Sequence, residues 1–167
     1  MLDNEYALIR LFTVVPTIEG RKRFQKTVYL LQQIGIPYAE KFKYYHYGPY
    51  SSELQAEIDR LVRYELINET YTGEAYVYEI TDKGEAFIQQ YSSLNIGNFE
   101  LPEHLVKRIV KTNTPVLEMA STYAYLLEMG YKEEEARAKA LELKPHLQNC
   151  LDEARTLYED ICRDISN

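Results

Sequence analysis

The spacing of apolar residues after Ser52 predicts an amphipathic helix over residues 52–65. Apolar side chains recur at intervals of three or four positions, which places them on one helical face: Leu54, Ile58, Leu61, Val62 and Leu66. Ser52 is the predicted N-cap. It is followed three positions later by Gln55, and this S-x-x-Q pattern is typical of a capping box.

The N-terminal third predicts two further helices. The first begins at Asp3 or Asn4, runs to about Val15 and stops at Pro16. The second is capped by Thr17 and continues to about residue 34, where Gly35, Ile36 and Pro37 end it. Its apolar stripe is built from Phe24, Val28 and Leu31.

Extended segments follow the second helix and helix 52–65. An aromatic strand from Phe42 leads into a turn at Tyr47, Gly48 and Pro49. Residues 66–71 and 75–81 are β-rich and are joined across Gly73, which predicts a hairpin. Thr81 then caps a helix to about residue 91. The resulting order of helices and hairpin is that of a winged helix, so we predict a mainly α, α+β fold with a winged-helix-like domain over residues 1–92.

The remainder of the chain predicts a linker over residues 93–101 and a helical C-terminal extension over residues 102–167. The extension contains four helical patterns, at 102–111, 115–129, 132–143 and 145–165. The last has an apolar stripe too wide for a solvated helix. We therefore expect residues 145–165 to pack in a bundle, either against the first domain or against a second copy as a homodimer.

Composition narrows the possible functions. The net charge of −7 opposes non-specific binding to a phosphate backbone. Cys150 and Cys162 do not form a C-x-x-C motif, and we expect reduced thiols in a cytoplasmic protein. No signal peptide or membrane span is predicted. The sixteen tyrosines suit half-buried positions and interfaces, because tyrosine combines a large ring with a hydroxyl group.

Residues that could carry out chemistry are scattered. His46, His104 and His146 share no ligand spacing with one another or with other ligands, so neither a metal nor a cofactor is predicted. No phosphate-binding glycine loop or nucleophile elbow is present either. We therefore expect a binding module rather than an enzyme.

Two motifs resemble a known family. Residues 20–31 carry the basic sequence GRKRFQKTVYLL, and residues 42–54 carry FKYYHYGPYSSEL. Together they resemble the YwgA-like family of small bacterial proteins and, more distantly, the Panacea domain of antitoxins. The resemblance implies a winged-helix-like scaffold without known catalytic residues. Because Panacea domains occur in proteins that neutralise varied toxins, it also implies that protein binding is a plausible use of the scaffold.

DNA binding is the alternative that a winged helix suggests. Arg60 and Arg63 on helix 52–65 are the candidate nucleic-acid-binding residues. The same helix carries three acids on the face predicted to be exposed, namely Glu53, Glu57 and Asp59, and the wing tip carries Glu74. These carboxylates repel phosphate, so nucleic acid is a disfavoured partner.

The tyrosines around the Gly-Pro turn are the candidate partner-binding surface. Tyrosine offers a large contact area with only two side-chain torsions to immobilise. We expect cations of the preceding helix to lie beside the rings, which gives seven candidates: Arg21, Arg23, Lys26, Tyr44, Tyr45, Tyr47 and Tyr50. The alternative is that the rings only wedge helix 52–65 against helix 20–34. The predicted function is a non-catalytic regulatory or antitoxin-like module that binds a protein partner, with DNA-binding regulation as the second possibility.

Overall fold

The fold is mainly helical α+β, as predicted. The structure is a computed structural model that describes residues 2–94 and 99–166. The centre of the predicted linker, residues 95–98, lies outside the described residues. The elements within these ranges are α1 Leu2–Ile9, β1 Thr17–Glu19, α2 Arg21–Gln33, β2 Lys43–Tyr45, β3 Gly48–Tyr50, α3 Ser52–Arg63, β4 Ile67–Tyr71, β5 Tyr76–Ile80, α4 Asp82–Ser92, α5 Glu103–Lys111, α6 Thr114–Glu128, α7 Glu133–Leu143 and α8 Leu151–Ser166.

The first two helices differ from the prediction. Thr17 does not cap a helix. It begins β1, and α2 starts after Gly20, whose φ of 102° turns the chain. The β1 register, Ile18 opposite Tyr78, gives the backbone of residues 17–19 partners in β5, which local sequence could not reveal. The first helix is also shorter than expected, because α1 gives way to a 3₁₀ helix at Arg10–Thr13.

The N-cap of α3 is Ser51 rather than Ser52. Its hydroxyl accepts a hydrogen bond from the Leu54 amide at 3.1 Å. Its own backbone amide and carbonyl are held by Gln25 of α2, at 3.0 and 2.9 Å respectively. Because these hydrogen bonds fix residue 51 to α2, they set where α3 begins. A tertiary contact therefore makes Ser51, and not the neighbouring Ser52, the N-cap.

The predicted hairpin of residues 66–81 is present as β4 and β5. It forms a three-stranded antiparallel sheet in the order β1-β5-β4. Thr81 caps α4 as predicted, since its hydroxyl accepts from the Gly84 amide at 2.9 Å. Gly84 allows the close approach of α4 to the hairpin, because a Cβ there would lie 2.1 Å from the Leu66 carbonyl oxygen.

The C-terminal helices share the hydrophobic core of the first part of the chain. α6 is buried along most of its length and packs against both α2 and α8. The stripe predicted on residues 145–165 begins in a 3₁₀ helix at Pro145–Cys150 and continues in α8, where Leu157 and Ile161 are buried within the same chain. None of the helices in the described ranges has both the length and the apolar character needed to cross a bilayer.

Candidate functional site

A small aromatic hairpin, β2 and β3, forms one wall of the candidate site. Its strands pair with Lys43 opposite Tyr50 and Tyr45 opposite Gly48. The turn therefore lies at His46 and Tyr47, whereas the prediction placed it at Tyr47, Gly48 and Pro49. Gly48 has a φ of 92°, and a Cβ there would lie 3.0 Å from the Thr122 hydroxyl. Glycine is therefore required both for the backbone conformation and for the close contact with α6.

Three lysines hold this hairpin, and with Glu118 we call them the lysine cluster. Lys26 of α2 donates to the Pro49 carbonyl at 2.6 Å, and Lys144 after α7 donates to the His46 carbonyl. The Lys22 ammonium lies 4.0 Å from the centroid of the Tyr47 ring, a cation–π contact. The hairpin tip is thus positioned by cations from both parts of the chain.

Glu118 of α6 is the carboxylate of this cluster. Its two oxygens accept from Lys22 at 3.0 Å and from Lys144 at 3.2 Å, and its residue is only 4% exposed. Burial raises the pKa of Glu118, but the hydrogen bonds and charges of the two lysines outweigh burial and hold the pKa below its usual value. Glu118 is therefore ionised at neutral pH.

Lys26 is the buried member of the cluster, with an exposed fraction of 2%. Burial lowers its pKa to about 7; Glu118 opposes this shift, whereas Lys22 and Lys144 add to it. Lys26 was predicted from the sequence to lie on an exposed cationic surface. That prediction is wrong, because the hairpin and α6 cover the side chain.

A groove of about 430 Å³ lies between α2 and the hairpin. It brings together five of the seven predicted partner-binding residues: Arg21, Lys26, Tyr45, Tyr47 and Tyr50. Tyr45 and Tyr47 are 49% and 60% exposed, so the rim of the groove presents aromatic rings to solvent. His46 also lines the groove. A mostly apolar concave site with a few convergent charged groups is typical of a ligand-binding site.

The other two predicted residues lie elsewhere. The Arg23 guanidinium donates to the carbonyls of Val110, at 2.7 Å, and Thr112, which ties α2 to the end of α5. Tyr44 is half-buried, and its ring lies 5.6 Å from that of Tyr125 on α6. Both residues therefore join the two parts of the chain instead of lining the groove.

Sequence reasoning missed Glu118 and Lys144. Each is an ordinary charged residue within a helical pattern or after one, and neither belongs to a motif. The one related signal in the sequence is the run of cations at the start of α2, a position that is unfavourable with respect to the helix dipole. Their carboxylate partner, Glu118, lies 96 positions after Lys22 in the chain.

The candidate nucleic-acid residues are separated in the structure. Arg60 pairs with the buried Glu5 at 2.8 Å, whereas Arg63 is exposed. Glu57, predicted to lie on the exposed face of α3, is buried instead, and Glu53 and Asp59 remain exposed. Among the described residues, no group of three or more histidine, cysteine or acidic side chains is arranged to hold a metal ion.

The fold and site define a small, mainly helical α+β protein with a groove between a helix and an aromatic hairpin. The chain is similar to Uncharacterized protein YwgA of Bacillus subtilis (strain 168), with 27% identity over 150 residues, which cover 86% of each protein. The YwgA-like resemblance predicted from the sequence is thereby confirmed. No family model matches the chain. The remoter resemblance to the Panacea domain stays a prediction.

Proposed function

We propose that this chain is a non-catalytic regulatory or antitoxin-like module that binds an acidic segment of a protein partner in the groove between α2 and the hairpin. The observation that carries the proposal is the pairing of exposed Tyr45 and Tyr47 rings with an excess of cations beneath them. The rings supply contact area, and the cations favour an acidic ligand.

The hairpin suits recognition because it is held rigidly while its tip stays exposed. Its backbone carbonyls at residues 46 and 49 are tied to lysines, so little backbone freedom is lost on binding. Lys22 is only partly buried and lies between Glu118 and the Tyr47 ring. An acidic group entering the groove therefore meets Lys22 beside the Tyr47 ring. Arg21 also lines the groove, but its guanidinium is shared with Glu69 at 3.6 Å.

The test is selection of peptides from a random display library on the purified chain. We expect enrichment of aspartate and glutamate next to an aromatic or aliphatic residue. Binding should weaken at least tenfold in Tyr47→Ala and in Lys22→Met. Tyr71→Ala is the matched control, because Tyr71 is 59% exposed but lies on the β4–β5 hairpin.

Two results would contradict the proposal. One is the absence of any enriched sequence, and the other is enriched peptides that bind the Tyr47 and Lys22 variants as tightly as the wild type. Enrichment of the chain's own acidic segments, such as residues 133–135, would identify a second copy as the partner, through a contact other than the homodimer predicted at residues 145–165.

The second candidate is a winged-helix DNA-binding regulator. The order of α1, β1, α2, α3, β4 and β5, with the sheet order β1-β5-β4, favours a winged-helix-like plan. The charges oppose DNA, since Arg60 is committed to Glu5 and the exposed face of α3 carries Glu53 and Asp59. We expect no tight sequence-specific DNA binding at physiological salt. Competitor-resistant retardation of a promoter fragment, lost in Arg60→Ala/Arg63→Ala, would establish this second function instead.

A further inference from the structure

The lysine cluster contains three amines and one carboxylate. Both oxygens of Glu118 are taken by Lys22 and Lys144. Within the described ranges, the hydrogen bond of the Lys26 amine goes to a single neutral acceptor, the Pro49 carbonyl. A protonated lysine has three N–H donors, so a buried Lys26 ammonium would have only one of them satisfied and would have to share Glu118 with two other ammonium groups.

The surroundings of Lys26 explain how the chain tolerates this imbalance. Burial is the main influence and lowers the pKa of Lys26 to about 7, with the neighbouring ammonium groups adding to the effect. The neutral amine of Lys26 is therefore populated near neutral pH. Loss of the Lys26 proton reduces the excess of positive charge in the cluster. An anion bound nearby would favour the return of that proton.

We propose that the groove accepts a carboxylate side chain of the bound segment, and that Lys26 takes up a proton from solvent as this carboxylate docks. The inference rests on the proposed function and adds the chemical group recognised and the pH dependence of recognition. The carboxylate replaces the missing counter-charge, so that the cluster then contains two carboxylates and three ammonium groups. Low solvent access makes this compensation stronger than it would be in water.

The other charged or titratable groups that face Lys26 come from four parts of the chain. They influence Lys26 directly, line the groove with it or, in the case of Tyr44, interact with Glu118: Lys22 and Arg21 on α2, Glu118 on α6, Lys144 after α7, and Tyr44, Tyr45, His46, Tyr47 and Tyr50 on the hairpin. Glu118 is already ionised, and arginine does not lose its proton in this range. An imidazole can change charge near neutral pH, so His46 is the side chain whose contribution must be separated from that of Lys26.

The experiment is titration calorimetry at pH 8 with a short peptide that has a phenylalanine between aspartates. Measuring the enthalpy in two buffers of different ionisation enthalpy gives the protons exchanged. For the wild type we expect uptake approaching one proton per peptide, and affinity that falls by up to about tenfold per pH unit above pH 7. His46→Gln should keep most of this uptake, and so should Lys107→Met, a control at an exposed lysine.

Lys26→Met keeps an apolar stem of similar length without the amine. Circular dichroism first establishes that this variant folds. We expect it to bind the peptide more weakly, with no proton uptake and little pH dependence. Binding by the wild type without proton exchange overturns the inference even if the variant does not fold. Equal uptake by the wild type and Lys26→Met overturns it as well.

The outcomes also separate this inference from the proposed function. If the peptide binds without proton exchange, the module binds acidic segments but Lys26 is not coupled to binding. If the peptide does not bind, the proposed function has failed, and the same two-buffer measurement with benzoate as the probe decides the inference. Benzoate binding with proton uptake that is lost in Lys26→Met would support it, and no benzoate binding or no uptake would overturn it.

Discussion

Two buried charge clusters in this protein are opposite in composition. The lysine cluster places Lys22, Lys26 and Lys144 around one carboxylate, Glu118. The second, which we call the glutamate cluster, places three buried carboxyls near one cation: Glu5, Glu40 and Glu57 with Arg60. In each case one residue has an altered protonation state, and the two changes are in opposite directions.

The glutamate cluster relieves its imbalance by gaining a proton. Arg60 pairs with Glu5 at 2.8 Å, and Asn4 donates to Glu57 at 3.0 Å. Burial, the hydrogen bond to Glu57 and the neighbouring carboxylates together raise the pKa of Glu40 to about 9. Glu40 therefore holds a proton at neutral pH, which removes the repulsion that two ionised carboxyls would have there.

The two clusters differ in what can compensate their excess charge, which is positive in the lysine cluster and negative in the glutamate cluster. The lysine cluster is under an open groove with exposed tyrosines, so an external anion can reach its neighbourhood. The glutamate cluster is next to a smaller cavity of about 210 Å³, lined by Asp3, Asn4 and Glu40 among others. The proton held by Glu40 already reduces the excess of negative charge there. The lysine cluster thus lies under the candidate recognition site, whereas the glutamate cluster reduces its own charge by protonation.

The largest effect should come from removing the carboxylate of the lysine cluster. We expect Glu118→Gln to lower the free energy of unfolding by about 3 to 5 kcal/mol, because Lys144 would remain buried without a counter-charge. Urea unfolding measures this. Glu142→Gln is the control, since Glu142 forms an exposed pair with Lys139 and should change stability by less than about 0.5 kcal/mol. Equal stabilities of the two variants would contradict the buried-pair account.

The next prediction concerns the glutamate cluster. The pKa of Glu40 is raised in the folded state, so its contribution to stability is present below the unfolded value near 4.5 and is lost as pH rises toward 9. Glu40→Gln keeps a hydrogen-bond donor toward Glu57 at every pH. We expect the free energy of unfolding of Glu40→Gln, measured relative to that of the wild type, to increase by about 2 to 3 kcal/mol between pH 6 and pH 8. Urea unfolding across this range tests it, with the exposed Glu53→Gln as control.

The lysine cluster should respond to pH in the opposite direction. The pKa of Lys26 is lowered from 10.5 to about 7, so the unfolded chain binds more protons than the folded chain between these values. Stability attributable to Lys26 therefore rises with pH in this window. We expect the free energy of unfolding of the wild type, measured relative to that of Lys26→Met, to increase by about 2 kcal/mol between pH 7 and pH 9. If the difference in free energy of unfolding between the two proteins stays constant over this pH range, the pKa of Lys26 is not lowered by folding.

The smallest effect should come from the rim of the groove. Tyr47 is 60% exposed, so Tyr47→Ala should change the free energy of unfolding by less than about 0.5 kcal/mol. Tyr38, next to the glutamate cluster, is 6% exposed and its hydroxyl donates to the Ala7 carbonyl, so Tyr38→Ala should cost several times more. Thermal unfolding of both variants makes the comparison. A large loss of stability in Tyr47→Ala would make that ring part of the fold rather than of a recognition surface.

Local patterns in the sequence predicted much of the fold. The apolar periodicity of α3, the β-rich runs of β4 and β5, and the Thr81 cap were all recognisable, because they depend on neighbours within one turn or one hairpin. The helical pattern predicted at 115–129 likewise corresponds to α6, Thr114–Glu128. The aromatic turn with nearby cations was also visible, and it led to five of the residues that line the groove.

Tertiary structure decided the rest. β1 formed at residues 17–19 because β5 supplied its hydrogen-bond partners, and Ser51 rather than Ser52 became the N-cap because Gln25 held it. Lys26 became a buried amine only because α6 and the hairpin meet above it. Local sequence determines backbone preference and apolar faces, which act over a few residues. Burial and the balance of charge depend on which distant segments come together, and these determined the protonation of Lys26 and Glu40.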